Sequence, residues 1–211
     1  MIRGWDRFVR SLQKIGVEPT QYQLDLFKIY YNLLLETNRR VNLISRRDEE
    51  RILSYHFIDS LVCLPLIPEN SVVCDLGSGN GLPGIPIKIL RDGISLYLIE
   101  SVGKKWLFLK DVISKLGLEN THAINKRAEE VKDIKFDVVL ARLFGKLRDV
   151  IKVGFPLLKS SGRLLVYKSK DLDEEIGRAE KLLKRFRAEI KEIKEFPVPG
   201  SYLRKIVVIG R

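Results

Sequence analysis

The stretch Val72-Val73-Cys74-Asp75-Leu76-Gly77-Ser78-Gly79-Asn80-Gly81-Leu82-Pro83-Gly84-Ile85-Pro86 constrains this chain more than any other. A short apolar run ends in a carboxylate, glycines follow at alternate positions, and an apolar helical segment begins directly after them. That order predicts a strand, a tight turn and a helix start. Glycine suits such a turn because its backbone adopts φ > 0 at little cost and carries no Cβ to hold a ligand away. Backbone N–H groups then face whatever the loop binds.

Two ligand classes use loops of this kind. The spacing Gly79-x-Gly81-x-x-Gly84 satisfies a dinucleotide fingerprint, with Glu100 about 20 residues on, where a ribose-binding acid belongs. Asp75, expected at the mouth of the loop, opposes a pyrophosphate because its carboxylate would repel the dianion. A cationic ligand fits instead. S-adenosylmethionine carries an α-ammonium and a sulfonium, and its ribose hydroxyls suit Glu100. The expected cofactor is therefore S-adenosylmethionine, with a nicotinamide-dependent oxidoreductase as the alternative that Asp75 disfavours.

At 211 residues and 24.3 kDa the chain has room for one α/β domain with a modest extension. Cys63 and Cys74 both lie in apolar runs, which predicts buried reduced thiols in a reducing cytoplasm rather than a disulfide. No metal site is expected, since His122 is the only histidine besides His56. The sequence shows no signal-peptide pattern and no apolar run near the roughly 20 residues that span a bilayer, so no membrane association is expected. Net charge is +11, and it is unevenly spread: +2 over residues 1–60, zero over 61–139 and +9 over 140–211. A neutral centre around the ligand loop and a basic final third suit a polyanionic substrate.

Along the chain, Trp5, Phe8, Val9, Leu12 and Ile15 fall at helical spacing and end at Gly16, a C-cap residue. Thr20-x-x-Gln23 reads as a capping box opening a second helix through Phe27, Tyr30, Leu33 and Leu34. The aromatics of both helices are read as core. A third helix carries His56, Asp59 and Ser60 on one face, the pattern of a hydrogen-bond cluster, and no site is assigned there. After the glycine loop, strands are expected at 95–99, 121–124, 136–140 and 162–167, the last preceded by a helix ending near Leu158. Asp171 is expected to cap a long charged helix, and 189–196 and 203–209 to form an antiparallel end joined through Pro197-Val198-Pro199-Gly200-Ser201. The fold class is thus α/β, a mostly parallel, seven-stranded doubly wound sheet with an antiparallel C-terminal end. Residues 1–65 form an N-terminal helical cap and 66–211 the ligand-binding domain, within one compact unit. Strand carboxyl ends bring Asp75, Glu100, Ala128-Glu129 and Arg142 to one crevice.

Asn42-Leu43, His56-x-x-Asp59-Ser60-Leu61, the loop from Asp75 to Pro86, Glu100-Ser101-x-Gly103-Lys104-Lys105, Asn120 and Arg127-Ala128-Glu129 occur in the order and spacing of one family. The chain resembles the bacterial small-subunit ribosomal RNA guanine-N7 methyltransferases, historically called glucose-inhibited division protein B. That resemblance implies a class I, Rossmann-like methyltransferase using S-adenosylmethionine to methylate guanine 527 of 16S rRNA. It implies a cofactor site at Gly77, Leu82, Ala128, Glu129 and Arg142, to which the loop and ribose arguments add Asp75, Gly79 and Glu100. The family usually has Ser-Arg-Ala after the fourth strand, where this chain reads Ala141-Arg142-Leu143.

Guanine N7 already carries an in-plane lone pair. Methyl transfer to it is an in-line displacement that needs positioning and desolvation rather than a general base. Arg142, always protonated, is expected to orient cofactor or base. RNA contacts are expected from Lys104, Lys105, Lys126, Arg127 and the basic final third, including Arg163, Lys168, Lys170, Arg204 and Lys205. The small ribosomal subunit or its precursor is the expected partner of a cytoplasmic monomer. A non-catalytic RNA-binding assembly protein is the remaining alternative.

Overall fold

The near-continuous apolar runs of the central strands require cover on both faces of a sheet. The computed structural model describes residues 2–168, 172–198 and 203–211. Its strands are β1 (Val72–Leu76), β2 (Ser95–Ile99), β3 (Thr121–Ile124), β4 (Phe136–Ala141), β5 (Leu158–Lys168), β6 (Glu189–Pro197) and β7 (Leu203–Gly210). They form one sheet in the order β3-β2-β1-β4-β5-β7-β6. β1 to β5 pair in parallel, whereas β7 pairs antiparallel with both β5 and β6. This is the mostly parallel doubly wound sheet with an antiparallel end that the sequence predicts. Strand order reverses between β1 and β4, so their carboxyl ends open the crevice where such sheets bind ligands.

The helices are α1 (Trp5–Lys14), α2 (Gln21–Asn38), α3 (Arg46–Glu49), α4 (Ile58–Leu61), α5 (Gly84–Leu90), α6 (Gly103–Leu116), α7 (Leu147–Gly154) and α8 (Leu172–Phe186). Val73, Leu96, Leu98, Val138, Leu140 and Leu165 point to one face, where they meet α1, α2, α5 and α6. Cys74, Leu76, Val139, Leu164 and Val166 point to the other, against α7 and α8. Both cysteines are free and buried. Among the described residues no helix is long and apolar enough to cross a membrane.

The N-terminal helices pack into the same core as the sheet. Thr20 accepts the Gln23 N–H while Gln23 accepts the Thr20 N–H, which completes the expected capping box. Phe8, Phe27 and Phe57 meet edge-on or tilted, and Tyr30 stacks on Phe57 with ring centroids 5.2 Å apart. The Tyr30 hydroxyl goes on to donate to the Asn80 carbonyl at 2.6 Å. A core aromatic thereby fixes the glycine loop.

Two elements differ from the sequence reading. The helix before β5 stops at Gly154 and a 3-10 turn follows, so that β5 starts at Leu158. Phe136 pairs with Leu158 and Val138 with Arg163, so two steps on β4 span five on β5 and the extra residues form a bulge. The helix containing His56 is α-helical only over α4; Ile52–Phe57 forms a π-helix, with the His56 N–H bonded to the Arg51 carbonyl at 3.2 Å. Such wide turns tend to occur at functional positions. The expected cap at Asp171 and residues 199–201 of the final loop lie outside the described residues.

Candidate active site

The loop after β1 turns on three glycines in left-handed conformation, Gly77 (φ 68°), Gly79 (φ 56°) and Gly81 (φ 90°). A Cβ at Gly81 would stand 2.7 Å from Ile85 Cγ1 and 2.9 Å from the Tyr30 hydroxyl. One at Gly77 would stand 2.7 Å from a Phe144 ring carbon. Conformation and crowding therefore both require glycine at these two positions.

Asp75 is not at the mouth of this loop, contrary to the sequence reading. It is 1% exposed, and its Oδ2 accepts the Gly84 N–H at 2.9 Å. Burial pushes its carboxyl up to about 7, while the Gly84 hydrogen bond and the Arg142 charge pull the other way. Asp75 joins the strand end to the start of α5. A preference for a cationic ligand cannot rest on it.

Two cavities flank the loop and share Gly77. The smaller, about 160 Å³, is bordered by Glu100, Lys126, Arg127, Ala128, Glu129 and Phe144. Glu100 closes its inner end, with Oε2 accepting the Gly79 N–H at 2.8 Å and Oε1 the Val102 N–H at 2.7 Å. Each oxygen keeps a second lone pair, and two neighbouring acceptors suit a vicinal diol. The larger cavity, about 280 Å³, is bordered by Ser45, Asp48, His56, Gly79, Leu82 and Arg142, with Lys105 and Leu143 at its edge. Gly77, Gly79, Leu82, Glu100, Ala128, Glu129 and Arg142 are thus brought together around one pair of cavities. A hollow of about 490 Å³ between α7 and α8 touches neither the loop nor a strand carboxyl end, so size alone does not mark the site.

The inner wall of the larger cavity is built from side chains far apart in sequence. Asp59 is fully buried and lies between two buried arginines. Arg204 donates to it from Nε at 2.6 Å and from a terminal nitrogen at 3.1 Å. Arg142 Nε stands 2.9 Å from Asp59 Oδ2, off the line of its N–H, and the contact is an ion pair rather than a hydrogen bond. The terminal nitrogens of Arg142 reach Ser60 Oγ at 3.2 Å and His56 Nδ1 at 2.8 Å. Burial first, and the Arg142 charge second, bring the His56 imidazole down to about 4, so it is neutral at pH 7. His56, Asp59 and Ser60 do form the hydrogen-bond cluster expected of them, and His56 in addition faces the cavity. Asp48, Ser45 and Leu143 also line it, and sequence reasoning assigned them no part. The positive φ of Leu143 (58°) and its 87% exposure have no local sequence signal.

The basic residues divide. Lys105 borders the larger cavity, Lys126 and Arg127 the smaller, and Lys104 is exposed at the start of α6. Lys168 turns inward, its Nζ held by the Gly145 carbonyl at 2.9 Å and Glu175 at 2.5 Å, which leaves it unsuited to the RNA contact expected of it. Arg204 is likewise committed to Asp59, and Lys205 pairs with Glu195 at 3.1 Å. Arg163 is exposed on β5. Lys170 lies outside the described residues.

Several solved structures share this fold. The ribosomal protein L11 methylase from Lactobacillus delbrueckii subsp. bulgaricus superposes with a TM-score of 0.58 at 16% identity, covering 74% of this chain and 78% of that one. M. jannaschii TYW2 in complex with AdoMet superposes with a TM-score of 0.58 at 18% identity, covering 81% and 77%. Sequence relatives are nearer. The ribosomal RNA small subunit methyltransferase G of Carboxydothermus hydrogenoformans is 34% identical over 204 residues, 93% of this chain and 86% of that protein. Its counterpart in Desulforamulus reducens is 38% identical over 210 residues, 96% and 88% respectively. The sequence profile described as GidB, rRNA small subunit methyltransferase G, matches residues 23–200. With nearly the whole chain aligned and the glycine loop, Glu100 and Arg142 gathered at one crevice, this protein belongs to the GidB family of small-subunit rRNA methyltransferases.

Proposed function

We propose that this chain transfers a methyl group from S-adenosylmethionine to N7 of a guanine in small-subunit rRNA, with guanine 527 of 16S rRNA the acceptor that the family resemblance implies. The observation that carries the proposal is the pair of cavities meeting at Gly77, one ending on the Glu100 carboxylate and the other on the Arg142–His56 wall. When bound, the cofactor supplies an electrophilic methyl group. Glu100 would hold its ribose hydroxyls, Ala128 and Glu129 would border its adenine, and Gly77, Gly79 and Leu82 would line the passage toward the larger cavity.

The larger cavity then takes the acceptor base. N7 donates its own lone pair and no proton has to leave first, so the reaction requires no general base. The acceptor nitrogen would take the methyl group on its own lone pair, with the electron pair of the carbon–sulfur bond left to the departing thioether. Positive charge appears on the purine. Asp48 lies on the cavity wall, and a hydrogen bond from Ser45 holds its carboxyl below the ordinary range, so a negative charge faces the developing cation. Arg142, fixed by Asp59, Ser60 and His56, holds the wall in place.

The RNA strand would cross the rim bearing Lys105, Lys126 and Arg127. A further hollow beside Asn38, Arg39 and Arg40 shares Ile44 and Ser45 with the larger cavity. Arg39 and Arg40 are exposed and make no ion pair among the described residues, which suits phosphate contacts flanking the target base. We read the protein as a cytoplasmic monomer acting on the small subunit or its precursor. Small subunits lacking the modification, incubated with the chain and methyl-labelled S-adenosylmethionine, should gain label in N7-methylguanine at one position. Label elsewhere or none at all rejects the proposal, and NAD binding in place of S-adenosylhomocysteine favours the oxidoreductase reading instead.

A further inference from the structure

The His56 imidazole presents a donor that makes no hydrogen bond among the described residues. Its Nδ1 lies 2.8 Å from a terminal nitrogen of Arg142. A guanidinium has five N–H donors and no acceptor, so Nδ1 must be the accepting nitrogen and the neutral ring carries its proton on Nε2. Nε2 is buried and has no hydrogen-bond partner among the described residues. The Asp48 carboxylate, on the same cavity wall, stands 3.6 Å away, an ion-pair distance that is longer than a hydrogen bond. Since a buried donor left unpaired is costly, a group that supplies an acceptor there is favoured.

A second observation comes from the edge of the same cavity. Leu143 follows the pinned Arg142, adopts φ 58°, and exposes 87% of its surface at the cavity edge. Left-handed backbone is costly for such a residue and persists where its surroundings impose it, often at ligand clamps. An exposed leucine there offers an apolar surface for the face of an inserted ring.

We propose that the space between His56 and Leu143 is the acceptor-base site, and that it takes a 6-oxopurine with the His56 Nε2–H donating to O6 and Leu143 covering the ring. The assignment rests on the methyltransferase reading above and adds to it a basis for base choice. Guanine and adenine both offer N7, but they differ at position 6. Guanine presents an acceptor there and adenine an amino donor, which would meet Nε2–H donor to donor. N7 lies next to O6 on the same edge, so a bond to O6 also holds the nucleophile inside the cavity that Gly77 and Gly79 line. His56 is on this view a specificity-determining residue, and Arg142 positions it by fixing its tautomer.

Three RNAs that differ only at the target base test this: guanine, inosine, which keeps O6 and lacks the 2-amino group, and 2,6-diaminopurine, which replaces O6 with an amino group. The native protein should methylate inosine within a few-fold of guanine and diaminopurine at least about 100-fold more slowly, as expected where a polar pocket rejects the mismatched group. His56→Leu should lower kcat/KM on guanine and inosine by about 10- to 100-fold and leave diaminopurine unchanged, with His56→Gln, which keeps a donor, recovering most of the loss. Both variants should bind S-adenosylhomocysteine as the native protein does. Nitrogen-15 spectra of the native protein should show the His56 proton on Nε2, with only His122 as a second histidine to assign. A proton on Nδ1, native activity on diaminopurine equal to that on guanine, or equal losses on both bases in His56→Leu would overturn the assignment. The spectra and the native-protein comparison need no variant to fold. Failure of the native protein to label N7 of guanine would instead reject the methyltransferase reading itself.

Discussion

The two walls of the crevice are made from different material. The glycine-loop wall is backbone, shaped by residues within one short stretch of chain and fixed by the Asp75 bond to the Gly84 N–H. The opposite wall is side chain, assembled from His56, Asp59 and Ser60 on one segment, Arg142 at the end of β4 and Arg204 on β7, with Asp59 and Arg204 separated by 145 positions. A backbone wall resists change one residue at a time, because each glycine answers mainly for itself. A wall of buried charges stands or falls together.

Asp59→Ala puts that difference to its hardest test. It leaves two buried guanidiniums without their shared carboxylate, and breaking a buried ion pair from one side costs about 3–5 kcal/mol. Urea denaturation measures the loss. If it comes out below that of a loop glycine substitution, the side-chain wall is not the more fragile of the two.

Acid gives the next largest effect. The neutral His56 contributes stability that is fully present above its ordinary 6.5 and is lost as pH falls through its folded value of about 4. At 1.36 kcal/mol per pKa unit that is on the order of 3 kcal/mol. Asp75 runs in the opposite sense: raised from 3.8 to about 7, it contributes stability below the lower value that is lost as pH rises through the upper one. The two partly cancel in the native protein. Subtracting the curve of His56→Gln, which keeps Asp75, exposes the histidine part as a difference that changes steeply between pH 6.5 and 4. A difference flat across that interval would show that the imidazole is not held neutral by the wall.

Gly81→Ala is the smallest of the three. Its Cβ would press on Ile85 and Tyr30 at φ 90°, a strain of about 1–3 kcal/mol. The Tyr30 contact links the loop to α2, so we expect S-adenosylhomocysteine affinity to fall along with stability, as isothermal titration would show. Unchanged affinity would mean that the loop absorbs the substitution without moving its cavity face.

The same contrast explains what was legible in the sequence. Local chemistry wrote the glycine loop, the Thr20–Gln23 capping box and the strand succession, because each follows from neighbours in the chain. Glu100 was legible by its distance from the loop. The bulge in β5 was not, since it depends on register with β4. The π-helix was not, since its apolar spacing passes for an α-helix. Asp75 misled because its charge is visible in sequence and its burial is not. Lys168 and Arg204 misled for the same reason: a basic composition counts cations without showing which of them face Glu175 and Asp59. His56, Asp59 and Ser60 could be grouped by spacing, but the partner that orients His56 lies 86 positions away.

The place of Arg204 on β7 has a consequence for synthesis on the ribosome. A growing chain produces the glycine loop, Asp59 and Arg142 long before the strand that carries the second guanidinium. Until β7 has slid in beside β5, Asp59 has one arginine instead of two, and the wall that orients His56 is incomplete. A chain interrupted ahead of Arg204 would still contain every residue that borders the two cavities and would lack the charge that secures them. Completion of the wall beside the larger cavity is in this way made conditional on the arrival of the last strand.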